Sequence, residues 1–119
     1  MQDLAPDIYR QRLLVEGHYG ADLDAAGVGA FLLELAEACG LTPYGEPLVH
    51  SPGGQGKQIN QGFDAFVPLV DSGISGYFWT GPRFFSIVIY SCAPFQDRAA
   101  IDFCATALEA HGPLASKSF

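Results

Sequence analysis

The residues with the most chemical potential sit between two apolar runs, Phe66-Val67-Pro68-Leu69-Val70 and Phe84-Phe85-Ser86-Ile87-Val88-Ile89-Tyr90. Between them the chain reads Asp71-Ser72-Gly73, and Cys92 follows the second run. An acid, a serine and a glycine between packed strands make an ordinary tight turn. The same residues also allow a specific reaction. A serine hydroxyl held against the preceding carbonyl can attack it and move the acyl group from nitrogen to oxygen. Elimination of the resulting ester leaves a new chain that begins with a pyruvoyl group. Its ketone can take up a substrate amine and act as an electron sink in place of pyridoxal phosphate. Such chemistry requires a strained, enclosed serine, a nearby proton shuttle, and a proton donor for the carbanion formed later.

Other constellations carry less. Gly53-Gly54-Gln55-Gly56-Lys57 resembles a phosphate-binding loop only in composition, because Lys57 is followed by Gln58 rather than Ser or Thr and position 51 is Ser. A flexible loop over a site is the expectation. Glu16 and His18 share one side of a strand and His50 can approach them, but their spacing is not that of a metal site, so no metal is expected. By composition, Cys92 reads as a buried, inert cysteine at a strand end, and Cys39 and Cys104 read as core positions of two helices.

Several elements must position these groups. Tyr9–Gly17 reads as a first strand. Asp22-Leu23-Asp24 offers a helix start; Val28, Phe31, Leu32, Leu35, Ala36 and Cys39 then recur at helical spacing, and Gly40 closes the helix. Leu41–His50, interrupted by Pro43 and Pro47, reads as an extended edge segment, and Ser51–Gly62 as a polar glycine-rich loop. Phe63–Val70, Ile74–Trp79 and Phe84–Cys92 are three further strands; the first two join at or near Ser72-Gly73, and the last is apolar enough to be central. Asp97–Ala110 reads as a second helix that stops near Gly112-Pro113. Strand, helix, several strands, helix predicts a single α+β domain over residues 1–119: a two-layer sandwich with a mainly antiparallel sheet and two helices packed on one face.

Composition narrows the function. Apolar residues make up 49% of the 119-residue chain and charged residues 16%, lean enough in charge to predict some apolar surface covered by a partner or a second copy, the latter as a homodimer or higher homo-oligomer. A net charge of −7 disfavours nucleic acid and anionic membranes, and suits a cationic small molecule. No run approaches the roughly 18 apolar residues of a membrane helix. The N-terminal segment has no basic region or apolar signal core, and three widely spaced cysteines form neither a disulfide framework nor a CxxC pattern. A reducing cytoplasm is the expected location.

The motifs together resemble the S-adenosylmethionine decarboxylase family, the small bacterial and archaeal proenzyme type. In that family a Glu-Ser-His segment precedes an Ile-His-Thr-Trp-like stretch and a strand ending in Thr-Cys-Gly. Val70-Asp71-Ser72-Gly73-Ile74-Ser75, Tyr77-Phe78-Trp79 and Tyr90-Ser91-Cys92-Ala93 align with these three segments, and the serine-to-cysteine interval is matched without a gap. Arg12–Gly20 resembles the family's first strand, and His50-Ser51-Pro52 its His-x-Phe-Ser-Pro-x-Gly segment. The resemblance implies cleavage between Asp71 and Ser72, a pyruvoyl cofactor made from Ser72, proton donation by Cys92, a homodimer of cleaved protomers, and a role in spermidine synthesis. It also implies a substrate site in which Phe63, Phe66, Tyr77 and Trp79 stack on adenine or cover the sulfonium by cation–π attraction, with Ser75 beside them. The chain departs from the pattern at four places: Asp71 stands for Glu, Gly73 and Tyr77 stand for the two histidines, and Gly81 stands for an acidic residue. A phenol, which ionises only at about pH 10, shuttles protons less readily near neutrality than an imidazole. Two alternatives therefore stay open: a pyruvoyl enzyme acting on ornithine or arginine, and an uncleaved relative that binds S-adenosylmethionine without decarboxylating it.

Overall fold

The computed structural model describes residues 1–51 and 53–119; the loop reading at 51–62 therefore includes one residue, Pro52, outside the described residues. The elements are β1 (Gln11–Tyr19), α1 (Ala25–Ala38), β2 (Leu48–His50), β3 (Gly62–Leu69), β4 (Ser72–Trp79), β5 (Phe84–Ser91), α2 (Asp97–Ala107) and β6 (Ala110–Ser118), with one 3-10 turn at Gln58–Asn60. The strands form one sheet in the order β2-β3-β4-β5-β1-β6, and every neighbouring pair is antiparallel. Both helices pack into the same core, so the α+β two-layer sandwich expected from the pattern is the fold observed.

Local chemistry explains the helix limits. The Asp24 carboxylate accepts the Gly27 amide at 2.7 Å and caps α1. At its other end Gly40, at φ 70°, lets the Gly40 amide donate to Glu37 and the Leu41 amide to Ala36. That pair of reversed bonds satisfies the last free carbonyls of the helix.

Side chains alternate across the sheet. Leu13, Val15, Val67, Leu69, Ile74, Phe78, Ile87 and Ile89 are buried against Val28, Phe31, Leu32 and Leu35 of α1 and Ala100 and Cys104 of α2. Each such side chain contributes roughly 1.5–3 kcal/mol by leaving water. The opposite parity puts Phe66, Tyr77 and Tyr90 on the outer face, where all three remain exposed.

The structure corrects four boundaries. β1 begins and ends two residues later than Tyr9–Gly17, so Gly17 lies inside the strand. A Cβ there would displace the end of the Leu114 side chain, 2.3 Å away at Cδ2, beside the bulge between Glu16 and His18. Of the extended segment before the glycine-rich loop, only Leu48–His50 pairs as a strand, at the sheet edge. The second helix stops at Ala107. Gly112 and Pro113 do not end it but lie in β6, an edge strand whose near-absence of apolar alternation hid it and whose exposed side tolerates a missing proline amide. Finally, the β3–β4 turn is Val70-Asp71, because Leu69 pairs with Ser72; Ser72 and Gly73 already belong to β4.

Ile87 is fully buried in β5, between β4 and β1. Ile87→Ala is expected to lower the unfolding free energy by about 3 kcal/mol, the usual cost of emptying such a site, read from the denaturant midpoint.

Candidate active site

The Val70-Asp71 turn sets the geometry of the site. Asp71 adopts φ 57°, in the left-handed region. That conformation costs an L-residue roughly 1 kcal/mol, and Asp tolerates it better than most. The next residue, Ser72, opens β4 opposite Ser91 of β5. Just past the end of β5, the Cys92 amide reaches back and donates to the Asp71 carbonyl at 2.8 Å. The carbonyl of the Asp71–Ser72 peptide therefore carries a fixed hydrogen-bond donor. Beside it, Ser72 Oγ lies 2.7 Å from Ser91 Oγ. Ser91 is completely buried, and its hydroxyl donates to the Ala93 carbonyl (2.6 Å) while accepting the Ala93 amide (2.9 Å).

These groups open onto a cleft of about 450 Å³ on the outer face, lined by Asp71, Ser72 and Cys92 at one end and by Phe66, Val88 and Tyr90 along its walls. The size is that of a small-molecule site. Gly73 forms part of the floor, under the Phe66 ring: a Cβ there would come within 2.9 Å of Phe66 Cε1. The position after the serine, where the resemblance expects a histidine, is thus filled from the neighbouring strand by an aromatic ring.

The expected site residues divide into three groups. Asp71, Ser72, Ser75, Phe66 and Cys92 line the one cleft. Tyr77 and Trp79 line another, of about 360 Å³, with Asp64, Lys57 and Asn60, where Trp79 Nε1 donates to Asn60 Oδ1 at 2.9 Å. Tyr77 lies five residues beyond Ser72, about 17 Å along a strand that rises about 3.3 Å per residue, so it does not reach Ser72 within one chain. Phe63 pairs with Phe78, shares its parity and packs against the helix-side core, away from both clefts. Lys57 precedes a 3-10 turn rather than an α-helix, which leaves no helix terminus to cradle a phosphate. Glu16 accepts a hydrogen bond from Ser86 at 2.7 Å, and His18 stacks on His111.

The sequence reading missed Ser91. The signal was present: an antiparallel strand pair connected by residues 80–83 sets position 72 opposite position 91, one residue before Cys92.

The cysteines differ sharply. Burial pushes the Cys39 thiol up to about 11 and the Cys104 thiol up to about 12. Cys92, read from composition as buried, is exposed because it follows the last paired residue of β5. In the native protein at pH 8, iodoacetamide is therefore expected to alkylate Cys92 alone, with Cys39 and Cys104 reacting only in denaturant; mass spectrometry of the peptides reads the result.

The family model described as S-adenosylmethionine decarboxylase matches residues 17–116. Among solved structures, the fold is similar to that of the adenosylmethionine decarboxylase from Aquifex aeolicus VF5. The TM-score is 0.66 at 18% identity, over 94% of this chain and 89% of that one. No curated protein matches the chain by sequence. The family match covers the hairpin, the cleft and both helices, and the chain belongs to the S-adenosylmethionine decarboxylase family.

Proposed function

We propose that the protein is a pyruvoyl-dependent decarboxylase of S-adenosylmethionine, formed by self-cleavage between Asp71 and Ser72. One observation carries the reading: the Asp71 carbonyl is held by the Cys92 amide directly beside the Ser72 hydroxyl. The amide favours negative charge developing on that oxygen when Ser72 Oγ attacks. Cleavage also frees Asp71 from a left-handed conformation, so local strain favours the forward reaction.

The residues present fit the implied group. Ser72 supplies its three carbons, and Cys92 and Tyr90 line the same cleft. When formed, a pyruvoyl ketone would supply the electron sink for loss of carbon dioxide. The exposed Cys92 thiol can hold a proton for the carbon that loses the carboxylate. Phe66 and Tyr90 offer aromatic faces to a sulfonium or an adenine, and the Asp71 carboxylate at the rim favours a cation. Decarboxylated S-adenosylmethionine is an aminopropyl donor, which suits a place in spermidine synthesis and a cytoplasmic location.

The outer face supports a homodimer as the proposed assembly. Phe66, Tyr77 and Tyr90 are exposed on it, and a second copy laid on this face is the means by which a tyrosine 17 Å away in its own chain (an approximate strand distance) joins a cleft. Sedimentation is expected to give twice the protomer mass, and Tyr90→Asp to shift it toward monomer.

One observation favours a second reading, an uncleaved S-adenosylmethionine-binding relative: among the described residues, no histidine lines the cleft. Intact mass decides between them. The proposed enzyme appears as chains of 71 and 48 residues from the 119, the smaller blocked at its N-terminus, and Ser72→Ala as one chain. Carbon dioxide release is expected from S-adenosylmethionine and not from ornithine or arginine. A folded wild-type protein that stays a single chain through prolonged incubation establishes the second reading.

A further inference from the structure

We infer that Ser91 is the proton relay for the self-cleavage of this chain, an inference that rests on the pyruvoyl reading. The first ground is connectivity. Ser91 Oγ has one proton, and that proton is directed to the Ala93 carbonyl at 2.6 Å. Its two lone pairs then face donors, the Ala93 amide at 2.9 Å and the Ser72 hydroxyl at 2.7 Å. With Ser91 donating to Ala93, the Ser72 hydroxyl is the donor in the Ser72–Ser91 bond, and its proton already lies on the contact with Ser91. The second ground is burial. Ser91 is fully enclosed and meets the Ser72 hydroxyl in direct contact at 2.7 Å, with no room for a water between them. The third is contact: among the described residues Ser91 is the side chain hydrogen-bonded to the Ser72 hydroxyl, whereas Asp71, Tyr90 and Cys92 line the same cleft without such a bond and Tyr77 lines another cleft of its own chain.

The step balances. A bond forms between Ser72 Oγ and the Asp71 carbonyl carbon, and the Asp71–Ser72 carbon–nitrogen bond breaks. One proton leaves Ser72 Oγ for Ser91 Oγ. Ser91, turning from the Ala93 carbonyl, gives its own proton to the departing Ser72 nitrogen and ends unchanged. The product is an ester between Asp71 and the Ser72 side chain, with a free Ser72 amine. In the later elimination the Ser72 Cα proton passes to water and the Ser72 Cβ–Oγ bond breaks, releasing the Asp71 carboxylate and a dehydroalanine; its imine tautomer adds water and loses ammonia to leave the pyruvoyl ketone.

The test follows cleavage of freshly refolded full-length chain by intact mass, with and without hydroxylamine, which cuts the ester. Ser91→Ala is expected to slow the appearance of both two-chain product and hydroxylamine-sensitive ester by about 100-fold, the usual contribution of a positioned proton-transfer group, while melting as a folded protein. Ser91→Thr, which restores the hydroxyl, is expected to cleave within about tenfold of wild type. Were Ser91 needed only for packing, the larger Thr would cleave no faster than Ala at this fully buried site. A wild-type proton inventory in mixed light and heavy water is expected to bow, since two protons move together; this measurement stands whether or not Ser91→Ala folds. Wild-type rates in folded Ser91→Ala, accumulation of ester in it, a Thr variant no faster than Ala, or a linear inventory each overturn the relay and leave the pyruvoyl reading intact. A wild-type chain that never cleaves overturns both.

Discussion

The hydrogen bond from the Cys92 amide to the Asp71 carbonyl is the contact on which the rest of the site depends. It exists because β4 and β5 pair in one register, Ser72 with Ser91 and Ile74 with Ile89. A slip of one residue would move Ile74, Ile87 and Ile89 out of the helix-side core and expose the outer-face residues to it, at a cost of several buried side chains of roughly 1.5–3 kcal/mol each. The hydrophobic layer therefore fixes an active-site distance. Packing on one face of the sheet decides which amide meets which carbonyl at its end.

The same sheet explains why the cleft lies where it does. Both helices cover one face, so the outer face keeps its aromatic residues in the open, and the cleft forms where the strands end and the turn rises over them. Ser72 occupies a junction between the two environments. Its strand parity is that of the core, which buries its partner Ser91, yet as the first residue of β4 it also borders the cleft. A serine one position later would point to the outer face, without a buried hydroxyl to receive its proton.

Much of this was legible in the sequence. The apolar runs at 66–70 and 84–90 specified the central strands, the helical spacing from Val28 to Cys39 specified α1, and the pairing of an acid–serine step with a later cysteine picked out Asp71, Ser72 and Cys92. The failures have physical causes. β6 is a polar edge strand containing glycine and proline, so neither periodicity nor propensity marked it. Phe63 and Trp79 are both aromatic residues near the ends of strands, and only the register shows that one faces the helices and the other a second cleft. Tyr77 aligned with a histidine of the family, but alignment carries no distance, and in this chain the distance along β4 is too great. Ser91 was overlooked because a serine in an apolar strand looks like a tolerated polar residue until its partner across the ladder is known.

One departure from the family pattern, Gly73, is matched by its surroundings. Gly73 leaves room for the Phe66 ring, and that ring walls the cleft where an imidazole would otherwise sit. The ring lines the same cleft as the Asp71–Ser72 peptide and gives that wall an apolar face. It also stands where the family pattern has an imidazole beside the serine. On the proposed relay the proton travels by hydroxyls, through the fully buried Ser91, whose Oγ lies 2.7 Å from that of Ser72. A route built from serines depends on alignment rather than on a pKa near neutrality, so it ties processing to the integrity of the β4–β5 ladder. On this reading, a chain whose core has not yet packed has neither its oxyanion donor nor its relay in place, and folding becomes the condition for making the cofactor.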